Sequence, residues 1–150
     1  MSFWEFFGIK RCRGFLKDPL FYIAVALALV FYGVLMLTTH HLPFITSKPV
    51  YKILVSQLFL VAFPEEFFFR GFLIPFIREY IPYQYLGISM ANIISAVIFA
   101  GLHILYHPFL WAVGTFFPAI LFGYFREKHD CLWPAVVLHY IYNVGYFILF

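Results

Sequence analysis

Residues Ile53 to Ile77 read ILVSQLFLVAFPEEFFFRGFLIPFI. The stretch is apolar and long enough to cross a bilayer, which takes roughly 20 residues of helix. Yet Glu65, Glu66 and Arg70 sit in its middle. An ionisable side chain at the bilayer centre costs roughly 2.5–3.5 kcal/mol on insertion scales. These three residues must therefore be paired, or carry a task, or both.

Helical spacing separates the two cases. Positions four apart share a face, so Glu66 and Arg70 can pair, and that pair needs no function to explain it. Glu65 is five residues from Arg70 and points about 100° around the helix from Glu66. It is left without a cation on its own helix. Such a carboxylate is suited to general-base or proton-carrying work.

The rest of the chain extends this membrane reading. Of 150 residues, 64% are hydrophobic and 11% charged, too few polar groups to coat a soluble domain. The sequence predicts an all-α, polytopic membrane protein of about five spans. Residues 1–150 form a single membrane domain. Met1 to Pro19 mixes aromatic and basic residues and reads as an interfacial helix, with no cleavage site of a signal peptide. Leu20 to Thr39 is the first span, followed by the linker His40 to Pro43. The second is the stretch quoted above. The third is Leu86 to Tyr106, ended by a turn at His107-Pro108. The fourth is Phe109 to Phe125, with a kink at Pro118. A charged loop, Arg126 to Asp130, leads to the fifth span, Leu132 to Phe150. No internal repeat or low-complexity linker appears.

Lys10, Arg11, Arg13, Lys17, Arg78, Arg126 and Lys128 gather on one side of this topology, and only Lys48 and Lys52 on the other. The positive-inside rule then puts the N-terminus in the cytoplasm and the C-terminus outside. Cys12 and Cys131 both fall on the cytoplasmic side, so no structural disulfide is expected between them. The net charge of +3 is small, and no basic, groove-like surface suggests a nucleic-acid partner.

Two further spans carry polar groups. Phe99 and His103 share one face, and Gly101 lets a neighbouring backbone approach. His139 and Asn143 share one face of the last span. His103 alone reads more readily as an interhelical hydrogen-bonding group, whereas two polar side chains on one face of an otherwise greasy last span are harder to dismiss as that. Together with Glu65 they converge from three spans, although His103 lies nearer the outer end of its own. His40, His41 and His107 sit at membrane edges, and His129 in the charged loop, where interface or solvated roles are usual. Phe67-Phe68-Phe69 and Phe116-Phe117 read as packing or lipid-facing surface.

Three patterns occur in order: Glu-Glu-x-x-Phe-Arg-Gly at Glu65 to Gly71, Phe-x-x-x-His at Phe99 to His103, and His-x-x-x-Asn at His139 to Asn143. They resemble the motifs of the CPBP (CAAX protease and bacteriocin-processing, or Abi) family of intramembrane endopeptidases, which includes the prenyl-CAAX endopeptidase Rce1. The resemblance covers Ser56 to Val144 and implies a four-helix protease-like core over about residues 50–150, with the first span added before it. It implies that Glu65 and His103 activate water, that His139 and Asn143 stabilise the oxyanion, and that Glu66, Arg70 and Phe99 support the site. It implies a glutamic-type protease without a cofactor, acting on a membrane-anchored protein or peptide among membrane lipid. The chain's compactness is similar to that of members paired with bacterial C-terminal sorting-signal proteins, which points to a bacterial inner membrane.

Two other readings use the same residues. Glu65, His103 and His139 could instead bind zinc with an open fourth position, although no His-Glu-x-x-His pair is present. Intramembrane Glu and His also build proton relays and non-catalytic scaffolds.

Overall fold

The computed structural model describes residues 3–10, 12, 14–39 and 50–149, and the chain is almost wholly helical. Helix α1 (Phe3–Phe6) and a 3₁₀ turn (Gly14–Lys17) precede α2 (Pro19–Thr39). A continuous rod, α3, runs over 50–80. A hairpin of β1 (Gln84–Tyr85) and β2 (Ile88–Ser89) leads into α4 (Met90–His103). Then come α5 (Phe109–Gly114), α6 (Phe116–His129) and α7 (Trp133–Leu149). The expected linker at His40 to Pro43 lies outside the described residues.

Among the described residues, two helical stretches are long and apolar enough to cross a membrane, Pro19–Thr38 and Phe109–His129. Along α2, Ile23, Leu27, Leu29, Val30, Val34 and Leu37 are exposed. Such an unbroken apolar surface is stable against lipid rather than water. The opposite side of α2 docks on α7 through reciprocal tyrosines. The Tyr32 hydroxyl donates to Tyr142 O, and the Tyr142 hydroxyl donates to Ala24 O over 3.1 Å.

Two proline positions explain the shape of α3. A proline inside a helix lacks an N–H and its ring strikes the carbonyl four residues back. Pro64 and Pro75 would strike Leu60 and Gly71. Both of those residues lie in wider π-helical turns, Gln57–Ala62 and Phe67–Leu73. The wider turns relieve the clash and let the helix continue, where π-bulges often mark functional sites.

Several sequence boundaries move. In place of one helix over residues 1–19, the described part of that segment is a four-residue helix and a 3₁₀ turn. The third span starts late, because Leu86 and Gly87 both adopt positive φ and turn the chain into the hairpin. Ser89 then caps α4 by accepting from Asn92 N over 2.9 Å. The fourth span breaks at Thr115, just after Gly114, whose carbonyl Pro118 cannot satisfy. Arg126 to His129 is no loop: α6 continues through it, with basic residues favourably in its last turn, and stops where Asp130 takes a left-handed conformation.

The N-terminal segment is folded against this end of α6. Asp18 caps α2 at Leu20 N and holds Lys128 (2.7 Å) and His129 (2.9 Å). The Lys128 contact, with smaller help from His129 and Leu20 and against the opposing effect of burial, keeps the Asp18 carboxyl below the usual carboxylate range. His129 is accordingly packed and paired, contrary to its reading as a solvated loop residue. The expectation of two separate thiols is also overturned: Cys12 and Cys131 are joined as a disulfide. That expectation came from the compartment, whereas the juxtaposition comes from packing, as Leu132 N donates to Gly8 O over 2.9 Å beside it.

Close helix approach falls at Gly123 rather than Gly101. A Cβ on Gly101 meets nothing within 4 Å, while one on Gly123 would lie 1.9 Å from Asn92 Oδ1 and 2.4 Å from its Cγ. Asn92 is fully buried and donates to Ile120 O over 3.0 Å, locking α4 to α6. Gly123→Ala is expected to cost about 1–3 kcal/mol, as overpacking in a core does. Gly101→Ala should be close to neutral. Thermal unfolding of the two variants in detergent checks the contrast.

Candidate active site

The site grows from one buried carboxylate. Glu66 is completely buried in the short α-helical stretch Phe63–Glu66 of α3. Its Oε1 accepts from Arg70 Nη1 over 2.8 Å, the pairing that the four-residue spacing predicts. The same oxygen lies 2.7 Å from His139 Nδ1 on α7. A carboxylate paired with a guanidinium only accepts, so Nδ1 carries the proton and donates.

Arg70 is equally buried. Its Nη2 donates to Ala119 O of α6 over 3.1 Å. Its guanidinium carbon lies 4.7 Å from the Phe99 ring centroid and 5.6 Å from that of Phe122. Aromatic faces are favourable neighbours for a desolvated guanidinium. Phe122 also stacks on the His139 ring at 5.4 Å. The imidazole is thus fixed by an aromatic face and a carboxylate.

That orientation directs His139 Nε2 towards Glu65, whose Oε2 is 3.8 Å away. This is too long for a direct hydrogen bond. Glu65 is the more accessible of the two glutamates, its side chain 34% exposed, yet its Oε2 is buried and has no hydrogen-bond partner. An acceptor left open in this way is what water activation requires.

His103 and Asn143 are placed less directly. His103 Nδ1 donates to Phe99 O over 2.8 Å, which in a neutral ring leaves Nε2 as an acceptor. Its ring packs on Phe99 at 4.4 Å, and Phe99 in turn lies 6.0 Å from His139. Phe99 therefore connects the two imidazoles. His107, exposed at the edge, stacks on His103 at 5.7 Å. Asn143 is one turn beyond His139 and donates through Nδ2 to Gln57 Oε1 over 3.2 Å. Gln57 is a buried partner that the sequence reading missed; its signal was a lone amide in an otherwise greasy segment. Glu65, Glu66, Arg70, Phe99 and His139 are in one contiguous cluster, with His103 at its edge and Asn143 held from Gln57.

Glu65, His103 and His139 do not form a zinc-holding set in this geometry. Among the described residues no group of three His, Cys, Asp or Glu side chains is placed to hold a metal ion.

Helices of membrane-spanning character around a buried glutamate–histidine–arginine cluster define a helical membrane protein with a polar centre. Residues 47–145 match the family model described as type II CAAX prenyl endopeptidase Rce1-like. The chain belongs to that family, whose members are membrane proteases acting on membrane-anchored proteins. No curated protein and no solved structure matches the chain.

The pairing pattern separates two kinds of glutamate. Arg70→Met leaves Glu66 buried beside His139 without its cation, and should destabilise the protein by about 3–5 kcal/mol. Glu65→Gln alters no direct hydrogen bond and should stay within roughly 1 kcal/mol of the parent. Unfolding in detergent measures both; equal losses would contradict this division.

Proposed function

We propose that this chain is a glutamic-type intramembrane endopeptidase that cuts a peptide bond near the membrane end of an anchored substrate. The observation that carries the reading is the open Oε2 of Glu65 facing Nε2 of a histidine whose other nitrogen is held by Glu66. In this reading Glu65 and the free Nε2 of His103 activate water. Glu65 takes a proton as the water attacks the peptide carbonyl. His139 and Asn143 donate to the oxyanion, with Gln57 orienting Asn143. Donation from His139 Nε2 needs a ring protonated at both nitrogens, and the proton that Glu65 removes is available 3.8 Å away. Passing it on to the leaving amine completes the reaction. Exclusion of bulk water strengthens each of these donors.

The test uses the full chain reconstituted in lipid, with a prenylated C-terminal peptide and a transmembrane-anchored peptide as alternative substrates. Glu65→Gln should lower cleavage by about 10²–10⁴-fold, the usual contribution of general acid–base catalysis, and a zinc chelator should leave the parent unaffected. Loss on chelation, restored by zinc, would replace this mechanism with a metal-dependent one. Full activity in Glu65→Gln would remove Glu65 from the role of base.

We further infer a five-span topology with the N-terminus cytoplasmic, supported by the distribution of basic residues. This puts Cys12 and Cys131 in a compartment that keeps thiols reduced. The Cys12–Cys131 disulfide forms where thiols are oxidised, so the state of this pair in intact cells tests the topology, free thiols fitting a cytoplasmic face. Maleimide trapping before lysis, followed by reduction and mass-tagging, checks this. A pair already bonded in the cell would place this face outside and reverse the topology.

A further inference from the structure

Past His139, the last turns of α7 lie between α3, α5 and α2. Asn143 donates to Gln57 of α3, and Tyr146 packs on Trp111 of α5 at 4.9 Å. The contact with α2 is of a different kind, because it takes hold of one residue twice. The Tyr32 hydroxyl donates to Tyr142 O, and the Tyr142 hydroxyl donates to Ala24 O over 3.1 Å. The first bond acts on the backbone and fixes how far α7 has slid along α2. The second acts at the tip of a side chain and fixes how far α7 is turned about its own axis.

The packing around this clamp leaves it one seat. Phe21, Ala24, Ala28 and Tyr32 form the buried stripe of α2, and its two alanines let the helices close up. On α7 the matching position is Gly145, where a Cβ would lie 2.7 Å from Tyr32 Cδ2. Phe122 closes the Tyr142 ring from α6, edge-on at 5.4 Å. Asn143 is the next residue along, about 100° further around the helix. Once the rise and rotation of α7 are set at Tyr142, the heading of Asn143 follows. Gln57 alone is a weaker guide, a single neutral amide on a π-helical turn.

We propose that the Tyr32 and Tyr142 hydroxyls are positioning groups for Asn143. By clamping Tyr142, α2 aims the Asn143 amide at the oxyanion. The inference rests on the reading of Asn143 as an oxyanion donor. It gives the first span a part in the reaction besides anchoring the chain.

The test uses the full chain in lipid with the substrates named above. Tyr32→Phe and Tyr142→Phe each remove a hydroxyl and keep the ring, so Phe122 still stacks on His139. Together they should lower kcat about 10- to 100-fold, as a small misplacement of a reacting group does, with KM within about twofold. In the Asn143→Ala background the same pair should lower kcat by less than about twofold, because the group it aims is gone. The full loss recurring there, or a change confined to KM, would overturn the proposal. A second readout needs no catalysis. Gln57→Cys and Asn143→Cys, in a chain carrying Cys12→Ser and Cys131→Ser, are bridged with a short bis-methanethiosulfonate. Removing both hydroxyls should slow bridging about tenfold, the scale of two hydrogen bonds. Bridging at an unchanged rate would overturn the proposal. Bridging that depends on the hydroxyls, while Asn143→Ala cleaves like the parent, would uphold the positioning and remove Asn143 from the oxyanion role. If the double variant fails to fold, Tyr142→Phe alone supplies both comparisons.

Discussion

A carboxylate with no access to water has to be answered by the protein, and Glu66 is answered from two directions at one oxygen. Arg70 reaches it along α3 and His139 across from α7. Arg70 then extends the constraint to α6 through Ala119 O and to α4 through the Phe99 ring. Four helices thus take their mutual orientation from one buried ion pair. A buried pair is weak evidence for net stability, but it leaves few alternative registers, since slipping either partner strands a charge in an apolar interior. Glu65 is the next residue along and points elsewhere because Glu66 is fixed. Its direction follows from its neighbour's clamp.

The second constraint is the backbone of α3. A strict α-helix would repeat its faces every 3.6 residues from Val50 to Tyr80. The π turns before Pro64 and Pro75 widen the helix and shift its later faces. Gln57, in the first π turn, meets Asn143, while Glu66 and Arg70 meet His139 and Ala119. One rod therefore serves α7 at two levels, and the prolines that would ordinarily break it fix where the widening occurs.

These two constraints explain what could be read in the sequence. The Glu66–Arg70 pair was legible because it is local and four residues apart. The membrane character was legible because composition alone demands lipid. The placing of Phe99 beside His103 was legible for the same reason as the ion pair. The capture of His139 by Glu66 was not, since helical spacing cannot say which face of α7 meets α3. Gln57 escaped because one amide among apolar residues gives no pattern until its partner is known. The hairpin at Leu86-Gly87 was hidden inside an apolar run, where a leucine at positive φ has no sequence signal. The disulfide was missed because compartment was used to judge a contact that packing determines.

The polar centre and the cavity between the ends of α3 and α6 solve opposite problems. At the centre, charges are few, Glu66 Oε2 is buried without a hydrogen-bond partner, and the open valence on the more accessible glutamate is the Oε2 of Glu65, next to one histidine nitrogen. A low-dielectric setting magnifies whatever that acceptor touches, which favours a small neutral reactant such as water over a large charged ligand. Where α3 and α6 end, cations and carboxylates are many and the cavity they line is wide. The N-terminal segment contributes to both. Phe7 stacks on Phe67 of α3 at 4.5 Å, one residue after the Glu65-Glu66 pair, while Phe6 and Lys10 wall the cavity. The segment that packs beside the Glu65-Glu66 pair is therefore the one that also walls the cavity.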